Sequence, residues 1–141
     1  MDQNAKRNII LENYEHPKNR GLIEDETYLC SNTSNDSCID EIDLMVKIEK
    51  GKITDIRFDG EACAICISSA SIMSDMLIGK TEEEANLICQ NFESMIEGKE
   101  YDREVLGQAL VYEDISHQPN RKKCSLLPWW GIKKIITKNW F

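Results

Sequence analysis

The chain has 141 residues, a formal net charge of −8 and six cysteines. That length holds one domain with a real core and is short for two, so a single domain over residues 1–141 is expected. The acidity argues against a nucleic-acid partner, because phosphate contacts need clustered Lys and Arg. No apolar run approaches the ~20 residues of a bilayer span, and residues 1–8 lack the apolar core of a secretory signal, so a cytoplasmic protein without a membrane partner is expected. In a reducing compartment six cysteines point away from disulfides and toward metal binding, thiol chemistry or plain burial.

In chain order, residues 2–14 read as an amphipathic helix with Ile9, Ile10, Leu11 and Tyr14 inward and Lys6, Arg7 and Glu12 outward. Pro17 and Gly21 end it, and His16 in that loop reads as a loop-fixing hydrogen bonder rather than a ligand. Residues 26–31 read as a strand, with Cys30 a core or strand residue. A polar loop over 32–37 leads into Cys38-Ile39-Asp40. Residues 41–50 alternate, with Ile42, Leu44, Val46 and Ile48 on one face and Asp43, Met45, Lys47 and Glu49 on the other. A tight turn at Gly51-Lys52 returns the chain as a strand over 53–59 with Ile56 and Phe58 inward. The open ends of this hairpin lie together, which places Asp40 near Gly60 and gathers Cys38, Asp40 and Cys63 into one neighbourhood.

Residues 60–71 are rich in small side chains around Cys63 and Cys66 and open a helix over 65–78 that Gly79 ends. Thr81 with Glu84 forms a capping-box pattern for a helix to about Ile96. Ala85, Ile88, Cys89, Phe92 and Ile96 form its buried stripe, so Cys89 reads as core. Residues 99–120 are mixed: Val105, Leu106, Ala109 and Leu110 fit a short helix, and 114–120 read as a loop in which His117 is a loop residue. A last helix over about 124–138 offers Leu126, Leu127, Trp130, Ile132, Ile135 and Ile136 to the core, with Pro128 in its first turn. Arg121, Lys122 and Lys123 surround Cys124 and read as electrostatics for a thiol or an acidic partner. Lys133, Lys134 and Lys138 read as a solvated face. The expected fold is α+β, a small antiparallel three-stranded sheet packed on one face by four to five helices.

A Cys-x-Asp pair on an extended segment places both side chains on one side. Cys63 and Cys124 each read as entering a helix, where backbone amides lower a thiol pKa. Three thiolates and a carboxylate, Cys38, Cys63, Cys124 and Asp40, suit zinc and equally an iron–sulfur cluster. Cys63-Ala64-Ile65-Cys66 could be a redox pair or one ligand beside one core cysteine. The second reading is preferred, since no thioredoxin-like strand–turn context is evident from sequence.

Together these pieces resemble the IscU/SufU family of iron–sulfur cluster assembly proteins, whose N-terminal signature looks like Tyr14-x-His16-Pro17-x-Asn19-x-Gly21. Its three site motifs look like residues 35–40, residues 60–63 with the serines that follow, and Arg121-x-x-Cys124-x-x-Leu127-x-Trp129. Lys123, where the scaffold branch carries histidine, and about 20 extra residues before Cys124 point to the zinc-dependent SufU branch. The resemblance implies zinc on Cys38, Asp40, Cys63 and Cys124. It implies a cysteine desulfurase of the SufS kind as partner, with a downstream cluster scaffold or carrier beyond it. Cys38 is then the persulfide acceptor. In the scaffold branch the acceptor would be Cys124 and the cargo an iron–sulfur cluster. Arg121 becomes a contact for the partner or for a thiolate. Cys66 stands where the family carries serine and reads as an inert buried thiol.

Overall fold

The computed structural model describes residues 1–35 and 39–138. Its elements are α1 (Gln3–Glu15), β1 (Leu29–Ser34), β2 (Glu41–Glu49), β3 (Lys52–Glu61), α2 (Ala64–Leu77), α3 (Glu82–Ile96), 3-10 segments Arg103–Val105 and Gly107–His117, and α4 (Pro119–Lys138). The sheet is antiparallel in the order β1-β2-β3, as the hairpin pattern requires. Helices cover its apolar face around a core that includes Ile42, Leu44, Val46, Ile56, Phe58, Ile67, Phe92 and Trp129. The expected α+β architecture is the one observed.

Local chemistry explains where the elements begin. The Asp2 side chain accepts from the Ala5 N–H and starts α1, and Thr81 with Glu84 forms the full capping box at α3. The β2–β3 turn is Lys50-Gly51, one residue earlier than the sequence suggested; both have positive φ, 53° and 75°, as a two-residue hairpin turn that follows the sheet twist demands. β1 begins three residues late, because the Asp25 carboxylate draws the Thr27 N–H (2.9 Å) and hydroxyl (2.6 Å) into a turn. The polar stretch that follows, read as loop, pairs instead with β2, Asn32 Nδ2 donating to Asp43 at 2.7 Å. Met45, assigned by alternation to the outer face, is buried and shares a groove wall with Leu22, Ile23 and Cys30. Cys30 lies in β1 and is exposed rather than core, whereas Cys89 is in the core as expected and burial pushes its thiol well up.

Two helices depart further from the sequence reading. On α1, Leu11 and Tyr14 are exposed and the buried side chains are Lys6 and Asn13. Lys6 Nζ lies 2.7 Å from both Glu113 and Asp114, so a charge expected outside fastens α1 to the 3-10 segment. Asn13 accepts from Ser71 Oγ at 2.7 Å, so α1 seats on α2 by hydrogen bonds as much as by apolar contact. The loop after α1 continues this seam: the Lys18 amide donates to Ser71 Oγ and Asn19 Nδ2 to Ser74 Oγ. On α4 the helix begins at Pro119, five residues before the expected start, with proline at the first position where its missing N–H is no loss. Pro128 therefore lies inside the helix, and its ring removes the amide that would have bonded the Cys124 carbonyl. Trp129, not Trp130, is the fully buried indole.

Trp129 stacks on Phe92 with ring centroids 4.1 Å apart. Its Nε1–H donates to Ser69 Oγ at 2.9 Å, and Ser69 Oγ in turn donates to the Ser125 carbonyl at 2.7 Å. This chain locks α4 against α2 at full burial. Ser69→Ala leaves the indole N–H without an acceptor, and a loss of about 1–3 kcal/mol in urea denaturation is expected.

The Lys6 cluster sets an acid response. Hydrogen bonds from Lys6 hold the Glu113 and Asp114 carboxyls below their ordinary range. The stability this contributes is present above their unfolded values of about 3.9–4.3 and is lost as pH falls through the lowered folded values. Unfolding midpoints of the wild type should therefore fall below about pH 4 more steeply than those of Lys6→Met. Parallel slopes would show the cluster to be silent.

Candidate metal centre

Three segments bring the functional side chains together. The β2–β3 register pairs Glu41 with Glu61 and Ile42 with Gly60, so the residues just beyond the hairpin, Asp40 on one side and Cys63 on the other, face each other. Gly60 makes this closeness possible. Its φ is +152°, and a Cβ there would sit 2.0 Å from the Glu41 carbonyl oxygen. Arg20 secures the same corner, donating to the Gly60 carbonyl and to Asp59, each at 3.1 Å. The third segment is α4, whose second turn carries Cys124 and is held at α2 by the neighbouring Ser125.

Asp40 is 2% exposed. One carboxylate oxygen accepts from the Cys63 backbone N–H at 2.8 Å, and the other lies 3.4 Å from Cys63 Sγ. Cys63 is the N-cap of α2, so the carboxylate sits against the positive end of a helix, where negative charge is favoured. The ligand atoms of Asp40, Cys63 and Cys124 all lie within 4.8 Å of one another. A tetrahedral ion with sulfur at about 2.3 Å and oxygen at about 2.0–2.2 Å separates its ligand atoms by about 3.3–3.8 Å. The three residues can therefore take up such an ion with small adjustments, and a buried carboxylate with two thiols is a donor set that fits zinc. The fourth expected ligand, Cys38, lies outside the described residues.

Other sequence expectations fall elsewhere. His117 and His16 are exposed, and neither belongs to the Asp40–Cys63–Cys124 group. Arg121 is exposed in the first turn of α4 and shares a groove wall with Ala64 and Ile65, the residues after Cys63. The expectation that helix starts lower both thiols does not hold. Cys124 is inside α4, and burial first, then the Asp40 carboxylate, raises its pKa. Cys63 is at a helix start, yet desolvation outweighs the pull of the Cys66 amide, with Asp40 adding to the rise. A cation among these groups reverses that balance, since coordination deprotonates a thiol outright.

Sequence reasoning missed the packing roles of Ser69 and Trp129, which hold Cys124 in place, and missed Tyr112. Tyr112 is fully buried and its hydroxyl lies 2.5 Å from Ser68 Oγ, beneath the start of α2. For Trp129 the signal was present: Leu126, Trp129, Ile132 and Ile136 recur at helical spacing.

The fold and this convergence define a small α+β protein with a candidate mixed sulfur–oxygen metal site. Residues 5–125 match the family described as NifU-like N terminal domain, and the chain belongs to that family. The zinc-dependent sulfurtransferase SufU of Bacillus subtilis (strain 168) is 35% identical over 133 residues, 94% of this chain and 89% of that protein. The iron-sulfur cluster assembly scaffold protein IscU of Thermotoga maritima is 35% identical over 129 residues, 92% of this chain and 90% of that protein. A crystal structure described as a cluster assembly scaffold protein for the SUF system, from Fervidobacterium islandicum AW-1, aligns with a TM-score of 0.85 at 37% identity, covering 89% of this chain and 91% of that one.

Asp40→Asn keeps an acceptor for the Cys63 amide and removes the charge that raises both thiols. In chelator-treated protein, iodoacetamide should alkylate Cys63 and Cys124 faster at neutral pH in Asp40→Asn than in wild type. Equal rates would assign the raised pKa values to burial alone.

Proposed function

We propose that the protein is a zinc-dependent sulfur acceptor in iron–sulfur cluster assembly, taking persulfide sulfur from a cysteine desulfurase. The observation that carries this reading is the convergence of Asp40, Cys63 and Cys124 from three separate segments within 4.8 Å. Cys38, two residues before Asp40, supplies the fourth donor and is the acceptor. When bound, zinc supplies charge that holds the thiols as thiolates near neutral pH.

The chain's own residues do the rest. Asp40 fixes the start of α2 through the Cys63 amide. Ser69 and Trp129 fix α4, and so Cys124. The Cys38 thiolate attacks the outer sulfur of the desulfurase persulfide. The donor S–S bond breaks, its thiolate leaves with the electron pair, and Cys38 carries the new persulfide. Arg121, exposed one helical turn before Cys124, is placed for the partner's acidic groups. Lys122 and Lys123 beside it extend a cationic rim on a protein whose net charge is −8, which favours encounter with an acidic face.

An alternative reading, a scaffold on which a cluster is built, is favoured by the equal likeness to the Thermotoga IscU. Lys123 before Cys124, in place of histidine, and the long segment ahead of it favour the acceptor. The stretch between Gly98 and Cys124 includes the 3-10 segment Gly107–His117, which buries Tyr112 beneath α2.

Metal analysis of the purified protein together with a desulfurase turnover assay tests this. About one zinc per chain, colourless protein and stimulated turnover are expected, with Cys38→Ala losing sulfur acceptance. A brown protein supports the scaffold. Loss of acceptance in Cys124→Ala but not in Cys38→Ala moves the acceptor to Cys124.

A further inference from the structure

Cys66 is fully buried, one turn into α2, and has no part in the Asp40–Cys63–Cys124 group. The function proposed above makes no use of it. Its position relative to Cys63 is specific. β3 ends at Glu61 and α2 begins at Ala64 with Cys63 as its N-cap, in extended conformation at φ −70° and ψ 169°. The strand, turn and helix read from the sequence around this Cys-x-x-Cys are therefore present. A cysteine at a helix start followed three residues later by a second is the arrangement in which the first thiol reacts and the second resolves.

We infer that Cys63 and Cys66 form a thiol–disulfide exchange site for small-molecule disulfides, and that its closure withdraws Cys63 from the Asp40–Cys63–Cys124 set. Two observations order the roles. Cys63 is exposed and Cys66 is not, so an external disulfide meets Cys63 first. Cys63 is the N-cap of α2 and Cys66 its third helical residue, so the second thiol is carried within one helical turn of the first. In a capping box the side chains at these two positions each reach the other residue's backbone N–H, so residues so placed are close neighbours.

The step balances without a further reactant. The Cys63 thiolate attacks one sulfur of a small disulfide, forming a mixed disulfide and expelling one thiolate. The Cys66 thiolate then attacks Cys63 Sγ, forming the Cys63–Cys66 bond and expelling the second thiolate. The two protons from the protein thiols end on the two small thiols. The protein dithiol is oxidised by two electrons, and the small disulfide is reduced by two. A metal held partly by Cys63 then loses one thiolate, so closure and metal release go together. Only this last consequence rests on the proposed metal reading; the bond itself does not.

The test treats the protein as purified with oxidised glutathione and maps cysteines by mass spectrometry of unreduced peptides. The expected product has lost two hydrogen atoms and yields a linked peptide containing Cys63 and Cys66, with zinc appearing in a colorimetric chelator assay at the same rate. Cys66→Ser, which leaves the backbone amide in place, should stop at a glutathione adduct on Cys63 and yield no linked peptide under this treatment. The proposal is overturned by a bond joining Cys63 to Cys124, by a stable glutathione adduct on wild-type Cys63, or by Cys66 remaining fully alkylatable. A closed Cys63–Cys66 bond in protein lacking zinc would sustain this inference while removing the zinc reading. Zinc and sulfur acceptance without the bond would do the reverse.

Discussion

The hydrogen bond from the Cys63 amide to the buried Asp40 carboxylate, 2.8 Å long, is the joint on which the molecule turns. It ties the end of a β-hairpin to the N-cap of a helix. A buried carboxylate is costly unless its oxygens are satisfied. Here one oxygen takes a helix-terminal amide and the other faces a thiol. Remove the carboxylate and α2 has no anchor at the sheet corner; widen the corner at Gly60 and the carboxylate cannot reach. The corner is therefore specified twice, once by charge and once by the lack of a side chain.

The same joint makes the thiols poor nucleophiles in the absence of a cation. Burial and Asp40 act on Cys63 and Cys124 in the same direction, toward the protonated form. A negative group placed where two further negative groups could form is unfavourable by itself, and it becomes favourable only around a positive charge. A binding site arranged in this way discriminates between loaded and unloaded states without a moving part. Unloaded, its sulfurs are biased toward the protonated form. With a cation bound they would be thiolates, and Asp40 would be a ligand.

Much of this was legible in the residues, and the reason differs by element. The hairpin was readable because β2 alternates cleanly, and from the hairpin alone Asp40 had to lie near Cys63. The capping box of α3 was readable because its two residues are local in sequence. What was not readable depended on contacts distant in the chain. Lys6 looks solvated until Glu113 and Asp114, more than a hundred residues away, meet it. The polar residues of β1 look like loop until β2 gives them partners. Pro119 was taken as a loop marker, although proline suits a helix's first position as well, and that choice hid Trp129 and moved Cys124 to a helix start it does not occupy. The signature at residues 14–21 was readable as a loop, but its docking was not: Lys18 and Asn19 spend their hydrogen bonds on Ser71 and Ser74 of α2.

Those serines explain why α2 can serve the site at all. Ser68, Ser69, Ser71 and Ser74 are each fully buried, and each finds a partner on another segment or on its own backbone. A helix lined with leucine at these positions would hold its neighbours some ångströms further off and would offer them no directional bond. Small hydroxyl side chains let α1, α4 and the 3-10 segment approach closely while fixing their rotation about α2. Rotation is what the site needs, because a turn of α4 by one residue, about 100°, would point Cys124 away from Cys63 without disturbing the apolar core much. The polar seam along α2 thus does for the three-segment site what apolar packing alone does for the fold: it selects one arrangement from several that would bury similar area.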